Sequence, residues 1–175
     1  MHTPFHVACL ASFAGLLAAC ASSPIPVAPT VPPALQAPAG STLYLETLAS
    51  GVQIYECTRK PDATYEWTFK APEATLTARS GQLLGKHYAG PTWEAVDGSI
   101  IVGEAKAKDV GPTPSAIPWL LLAAKSNSGV GTFAGAKFVQ RVATVGGAAP
   151  TGGCTESTLK NAARIPYSAS YFFYR

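Results

Sequence analysis

H-Y-A-G-P-T-W-E-A-V-D-G-S-I-I-V-G, His87 to Gly103, carries the clearest hairpin signal in the chain. Asp97-Gly98 sits between the apolar, β-rich segments Thr92–Val96 and Ser99–Ala105. A two-residue type I′ turn of this composition has the twist that joins antiparallel strands, so a hairpin is predicted here. Outward from it, short apolar runs recur, each bounded by Gly, Pro, Asp or Asn. Val52–Thr58 alternates Val52 and Ile54 with Gln53, Tyr55 and Cys57, and Tyr65–Lys70 puts Trp67 and Phe69 on one face. Leu43–Leu45 and Ala74–Ala78 read as short strands, with Leu76 pointing inward. Phe138–Val145 alternates again, and Tyr171 and Phe173 share a face of Tyr167–Tyr174. Such spacing predicts an all-β, mainly antiparallel single domain, sandwich or barrel-like, with at most short helices. Ile117–Lys125 is apolar almost throughout, which fits a buried strand or a helix. With Pro118 suited to a first helical turn, it is read as a short helix or buried segment over the sheet. Thr155–Ala163 is read as one or two helical turns.

Hydrophobic residues make up 47% of the chain and charged ones only 13%, enough apolar surface for a well-buried core. The charges, 13 Lys and Arg against 10 Asp and Glu, are scattered singly. Nucleic-acid binding needs basic residues gathered on one face, so nucleic acid is not an expected partner.

Val7–Ala19 is an apolar or small-residue run ending in Leu17-Ala18-Ala19-Cys20. It is too short to span a bilayer and has the form of an export signal. L-A-A-C resembles the lipobox of bacterial lipoproteins, which implies cleavage before Cys20 and lipidation of its thiol. Acyl chains contribute about 0.8 kcal/mol per buried CH₂, enough together for stable anchoring. By the same resemblance, Ala21 in place of an acid implies the outer membrane, facing the periplasm. His2 and His6 stand where the leader would normally carry Lys or Arg, and Ala19-Cys20-Ala21 also fits an ordinary cleavage site, giving a soluble secreted protein. The expected organisation is signal peptide 1–19, lipidated Cys20 and proline-rich linker 20–40, and one β-rich domain 41–175. The linker carries six prolines from Pro24 to Pro38 and no charge, the composition of an extended spacer. With Cys9 in the leader and Cys20 lipidated, Cys57 and Cys154 remain. In an oxidising compartment they are expected to pair, closing a loop worth about 4–5 kcal/mol in chain entropy. Two buried free thiols are the alternative.

At His87–Gly103 the chain resembles an uncharacterised family, domain of unknown function 3455. The likeness extends through G-V-Q-I-Y-E-C (Gly51–Cys57), I-P-W-L-L-L (Ile117–Leu122), Q-R-V-A-T-V-G-G (Gln140–Gly147), Gly-Gly-Cys154 and the closing Tyr167-to-Tyr171 stretch. It implies a small exported protein, with no activity or catalytic residues to carry over. Some members bear a malate dehydrogenase label. Gly129-Val-Gly-Thr-Phe-Ala134 does fit G-x-G-x-x-A, but a dinucleotide site needs a strand before it and a helix opening at it. A β-branched, alternating stretch follows instead, so a nicotinamide cofactor is not expected and the glycines read as a loop.

Outside the leader His87 is the only histidine, and with Glu94 or Asp97 it is the catalytic candidate, imidazole titrating near neutrality. The plainer readings are a structural histidine beside Tyr88, an exposed strand residue at Glu94 and a turn residue at Asp97. Ser99 lacks the G-x-S-x-G elbow of a nucleophile. One histidine and two paired cysteines leave little for zinc or copper, and calcium at Asp97 and Glu94 has no Asp-rich loop to support it, so no metal is expected. Tyr88, Trp93 and Trp119 are the candidate binding residues, aromatic surfaces on which a glycan or apolar ligand could stack. Trp67 is expected in the core. The leading expectation is a non-catalytic envelope protein binding a small ligand, glycan or partner near this hairpin. A hydrolase using His87 with Glu94 or Asp97 and a purely structural envelope protein are the alternatives.

Overall fold

The computed structural model describes residues 26–175, so the leader, Cys20 and the start of the linker lie outside the described residues. Eight antiparallel strands follow one another around a closed barrel, each paired to its neighbours in sequence and the last to the first. They are β1 (Leu43–Arg59), β2 (Tyr65–Thr77), β3 (Leu83–Tyr88), β4 (Thr92–Ala95), β5 (Ile100–Asp109), β6 (Trp119–Ser128), β7 (Phe138–Gly146) and β8 (Ala162–Tyr174). The fold is all-β, and closure leaves no free sheet edge among the described residues.

Several strands are longer than the sequence suggests. Leu43–Leu45 and Val52–Thr58 are parts of one strand, because Gly51 interrupts the hydrophobic pattern without interrupting the ladder. A Cβ at Gly51 would lie 2.1 Å from Glu73 O, so the bare backbone is what lets β2 approach there. Similarly, Tyr65–Lys70 and Ala74–Ala78 belong to β2, joined through an irregularity in register opposite Ile54 and Tyr55. The predicted type I′ turn is a three-residue loop instead. Ala95 N donates to Ser99 O (2.9 Å) and Gly98 N to Ala95 O (3.0 Å), and only Gly98 of the pair has positive φ (82°). That is the type I turn with a following left-handed glycine, the next commonest hairpin connection.

Ile117–Lys125, read as a helix or buried segment, is strand β6 from Trp119 onward. Its polarity does not alternate because both of its faces are covered. Leu120 and Leu122 belong with the interior core, while Leu121 is buried on the outer wall. The cover on that wall includes the proline-rich segment. A single 3₁₀ turn, Pro33–Leu35, lies near β5 and β6, and Leu35 is fully buried. Val31 and Ala37 pack on an outer cluster of Val142, Phe172 and Tyr174. Tyr174 OH donates to Gln140 Oε1 and Gln140 Nε2 donates to Leu35 O, both at 2.6 Å. Residues 31–37 are therefore a strap on the barrel rather than spacer. Thr155–Ala163 supplies one 3₁₀ turn, Glu156–Thr158, closed by a Thr155–Thr158 capping box, before β8 begins.

Alternating strand directions sort the loops onto two ends. One end carries Arg175 and the loops after β2, β4 and β6; the other carries the loops after β1, β3, β5 and β7. Phe133, in the loop after β6, is fully buried and tilted against Phe173 at 4.7 Å between ring centres, plugging the first end. Asp97 latches this plug: Oδ2 accepts from Thr132 N (2.8 Å) and Oγ1 (2.7 Å), and Oδ1 from Ser99 N (2.9 Å) and Oγ (2.6 Å). Ser99 Oγ accepts from Phe133 N at 2.9 Å. Gly131 makes the approach possible, since a Cβ there would sit 2.4 Å from the Asp97 carboxylate. The G-x-G string is thus the closing loop of a plug. At the opposite end Cys57 and Cys154 form a disulfide, anchoring the long loop after β7 to β1.

Candidate functional site

The open end of the barrel leads into a cavity of about 550 Å³. Strand alternation delivers its lining: Gln53 and Tyr55 from β1, Phe69 from β2, His87 from β3, Ala105 from β5, Leu120 and Leu122 from β6, and Arg141 from β7. Ile117 and Pro118 close over it from the loop after β5. That loop is held down by Thr144 Oγ1, which donates to Ile117 O (2.7 Å), and by Ile117 N, which donates to Gly146 O (2.9 Å). Eight strands enclose about enough space for side chains or one small ligand. Here the plug end is filled with side chains, and the other end keeps the space.

The candidate catalytic residues are not brought together. His87 is 2% exposed, faces the barrel interior, and stacks on Trp93 with ring centres 4.6 Å apart. Its Nδ1 donates to Thr92 O at 2.8 Å, leaving Nε2 as the acceptor of a neutral ring. Burial holds its pKa down to about 3, against the raising effect of the Thr92 carbonyl, with Arg141's charge adding to the depression. Glu94 points from the outer wall, accepting from Tyr88 OH (2.8 Å) and pairing with Lys86 Nζ (3.2 Å). These two bonds hold its carboxyl below the usual range, the Tyr88 bond first. Asp97 is at the plug end, its pKa lowered chiefly by the Ser99 and Thr132 hydroxyls. All three residues thus have structural partners, and the carboxylates lie across the wall or at the far end from His87.

Of the aromatic candidates, Trp93 is core, 1% exposed and edge-on to Tyr171 and Phe173. Gly103 makes room for it, because a Cβ there would come within 2.8 Å of Trp93 Cζ3. Tyr88 and Trp119 stand outside the cavity, Trp119 against the strap cluster. Trp67, expected in the core, is half-buried at the open end, and its Nε1 donates to Gly152 O at 2.8 Å. Phe69, on the same face, is half exposed at the cavity mouth, 5.7 Å from the Tyr55 ring.

Sequence reading missed Arg141, Gln53 and Tyr55. The signal was present: Arg141 shares a face of its strand with Val139, which is fully buried. Arg141 Nε and Nη2 both donate to Pro118 O, at 3.1 and 2.8 Å. Tyr55 OH donates to Gly147 O at 2.7 Å. Deeper in, Gln53 Nε2 and the hydroxyls of Tyr167 and Tyr171 are buried without hydrogen-bond partners. Burial raises both tyrosines' pKa values, with Arg141's charge opposing it. Among the described residues no three His, Cys, Asp or Glu side chains gather into a metal-holding group.

A second, outer groove of about 650 Å³ lies at the plug end, between Tyr44, Leu84 and Arg79 and the chain's own Pro26 and Val27. Its charges are matched, Arg79 making a two-pronged pair with Glu46 at 2.6 and 2.7 Å.

The family described as "Protein of unknown function (DUF3455)" matches residues 38–175. The chain belongs to this family. Neither a curated protein nor a solved structure matches the chain. The match spans the whole barrel and begins directly after the strap.

Proposed function

We propose that this DUF3455 protein is a non-catalytic binding module of the cell envelope that takes a small, largely apolar ligand into the open end of its barrel. One observation carries the reading: a barrel plugged at one end by Phe133 and opening at the other into a chamber of about 550 Å³. Ligand sites generally occupy about 300–1,000 Å³ and combine apolar walls with a few placed polar groups. Leu120, Leu122, Ile117 and Phe69 supply the walls here, and Gln53, Tyr55, His87 and Arg141 the polar groups. The hairpin singled out in the sequence contributes through His87, a neutral wall and acceptor rather than an acid–base catalyst.

Lipidation at Cys20 would fit this use. Pro26 and Val27 line the groove at the plug end, and six residues reach at most about 20 Å when extended. An acylated Cys20 would hold the plug end close to the membrane and turn the mouth towards the periplasm.

The test is a thermal-shift panel of apolar amphiphiles and oligosaccharides on the wild type and on Ala105→Trp. Ala105 lines the cavity yet is solvent-exposed, so an indole there obstructs the mouth without entering the packed core. Amphiphiles should raise Tm in the wild type only. A response to oligosaccharides alone, or equal responses in both proteins, would refute the reading.

A further inference from the structure

We propose that the cavity selects ligands with an anionic head group, carboxylate or phosphate monoester, and that Arg141 is the residue that anchors it. This rests on the cavity being a ligand site and names the chemistry it takes.

Charge is the first observation. The cavity lining includes two cations, Arg141 and Lys70, and no Asp or Glu. Lys70 is matched by Glu56, 3.1 Å away. Arg141 has no carboxylate within 4.0 Å among the described residues; its polar partner is the Pro118 carbonyl. A guanidinium offers five N–H donors, and that carbonyl uses two. The remaining N–H donors have no carboxylate partner and can turn to an oxyanion, and the Pro118 bonds fix the guanidinium's orientation in advance, which lowers the ordering cost of binding.

A second donor stands in the same chamber. Gln53 is 2% exposed, lines the cavity, and its Nε2 has no partner. An unpaired buried amide is costly, and buried polar groups are ordinarily paired. An oxygen-rich head group held by Arg141 would satisfy this type of donor, whereas an ammonium head would oppose both groups. Arg141's field also reaches inward: after burial, its charge is the next influence on the ionisation of Tyr55 and Tyr171, and it bears more weakly on His87 and Tyr167. The facing surfaces of Phe69, Leu120, Leu122 and Ile117 have nothing to offer a second charge, so the rest of the ligand is apolar. An anionic amphiphile satisfies both halves of the chamber; a neutral oligosaccharide leaves the apolar walls unmatched and brings no charge to Arg141.

The experiment is calorimetric titration of the purified full chain with decanoate, decyl phosphate, decanol and decyltrimethylammonium, below their aggregation concentrations. Decanoate or decyl phosphate should bind at least about tenfold tighter than decanol, the size of one charge-assisted hydrogen bond. Arg141→Gln should remove that preference while leaving decanol binding intact, decanol serving as the check that barrel and chamber are formed. Arg141→Lys, which keeps the charge but not the planar fork, should retain part of the preference and decides the matter if the glutamine variant does not fold. Equal binding of decanoate, decyl phosphate and decanol, unaltered by either variant, would overturn the anchor yet leave the cavity reading standing. A preference for decyltrimethylammonium would overturn it outright. Binding of none of the four would overturn the cavity reading and the anchor together.

Discussion

Replacing His87 with Phe gives a stability change whose sign depends on pH. At neutral pH the variant keeps the stacked aromatic against Trp93 but loses the bond from Nδ1 to Thr92 O. The orphaned buried carbonyl costs about 1–2 kcal/mol. As pH falls below 6.5, the unfolded wild type takes up a proton at His87 that the folded state refuses until about pH 3. The unfolded state therefore binds more protons, and wild-type stability declines through that window. At about 1.4 kcal/mol per pH unit the full drop amounts to about 5 kcal/mol, of which about 3 is lost by pH 4. Phe does not titrate, so the variant escapes this loss. The two proteins should cross: the wild type more stable by about 1–2 kcal/mol at pH 7, and the variant more stable by a similar amount at pH 4. Urea unfolding at the two pH values measures both differences, and His2 and His6 cancel because they are common to both chains. A difference that stays constant with pH would show that His87 titrates freely, and the account of a sealed, neutral imidazole would fail.

Other outcomes follow from the same geometry. Reducing the Cys57–Cys154 bond, which spans 97 residues, should lower stability by about 4–5 kcal/mol in urea unfolding, whereas an unchanged midpoint would show no constraint on the unfolded chain. Leu35→Ala should cost about 2–5 kcal/mol if the strap is part of the folded domain; a negligible loss would return it to the status of a linker. Asp97→Ala should speed amide exchange at Thr132 and Phe133 by unlatching the plug, and protection equal to wild type would contradict the latch. Cys20→Ala should move the protein from the membrane to the soluble fraction, and continued membrane association would refute the proposed anchor.

How much of this was legible beforehand depends on what covers each face. Strands with one wet face, such as the Ala74–Thr77 part of β2, where exposed Thr75 sits between buried Ala74 and Leu76, announced themselves by alternation. β6 did not, because the strap buries Leu121 on the outside while Leu120 and Leu122 pack inside. No local pattern in Leu120–Leu122 could reveal a cover supplied by Val31–Ala37, more than eighty residues earlier in the chain. The same limit applies to the cavity. Alternation separates Val52 and Ile54 from Gln53 and Tyr55 but does not say that the polar set faces inward, as it does where the interior holds a chamber. His87 was visible as an unusual residue, yet its role hinges on facing Trp93 across the β3–β4 ladder rather than on its nearness in sequence to Glu94.

The central claim is that a ligand enters the open end of the barrel. The most direct measurement is a ¹H–¹⁵N NMR titration of the labelled protein with decanoate. The predicted shifts gather at Gln53, Tyr55, His87, Leu122 and Arg141. Shifts confined to Val27, Tyr44 and Leu84 in the outer groove, or none at all, would contradict it.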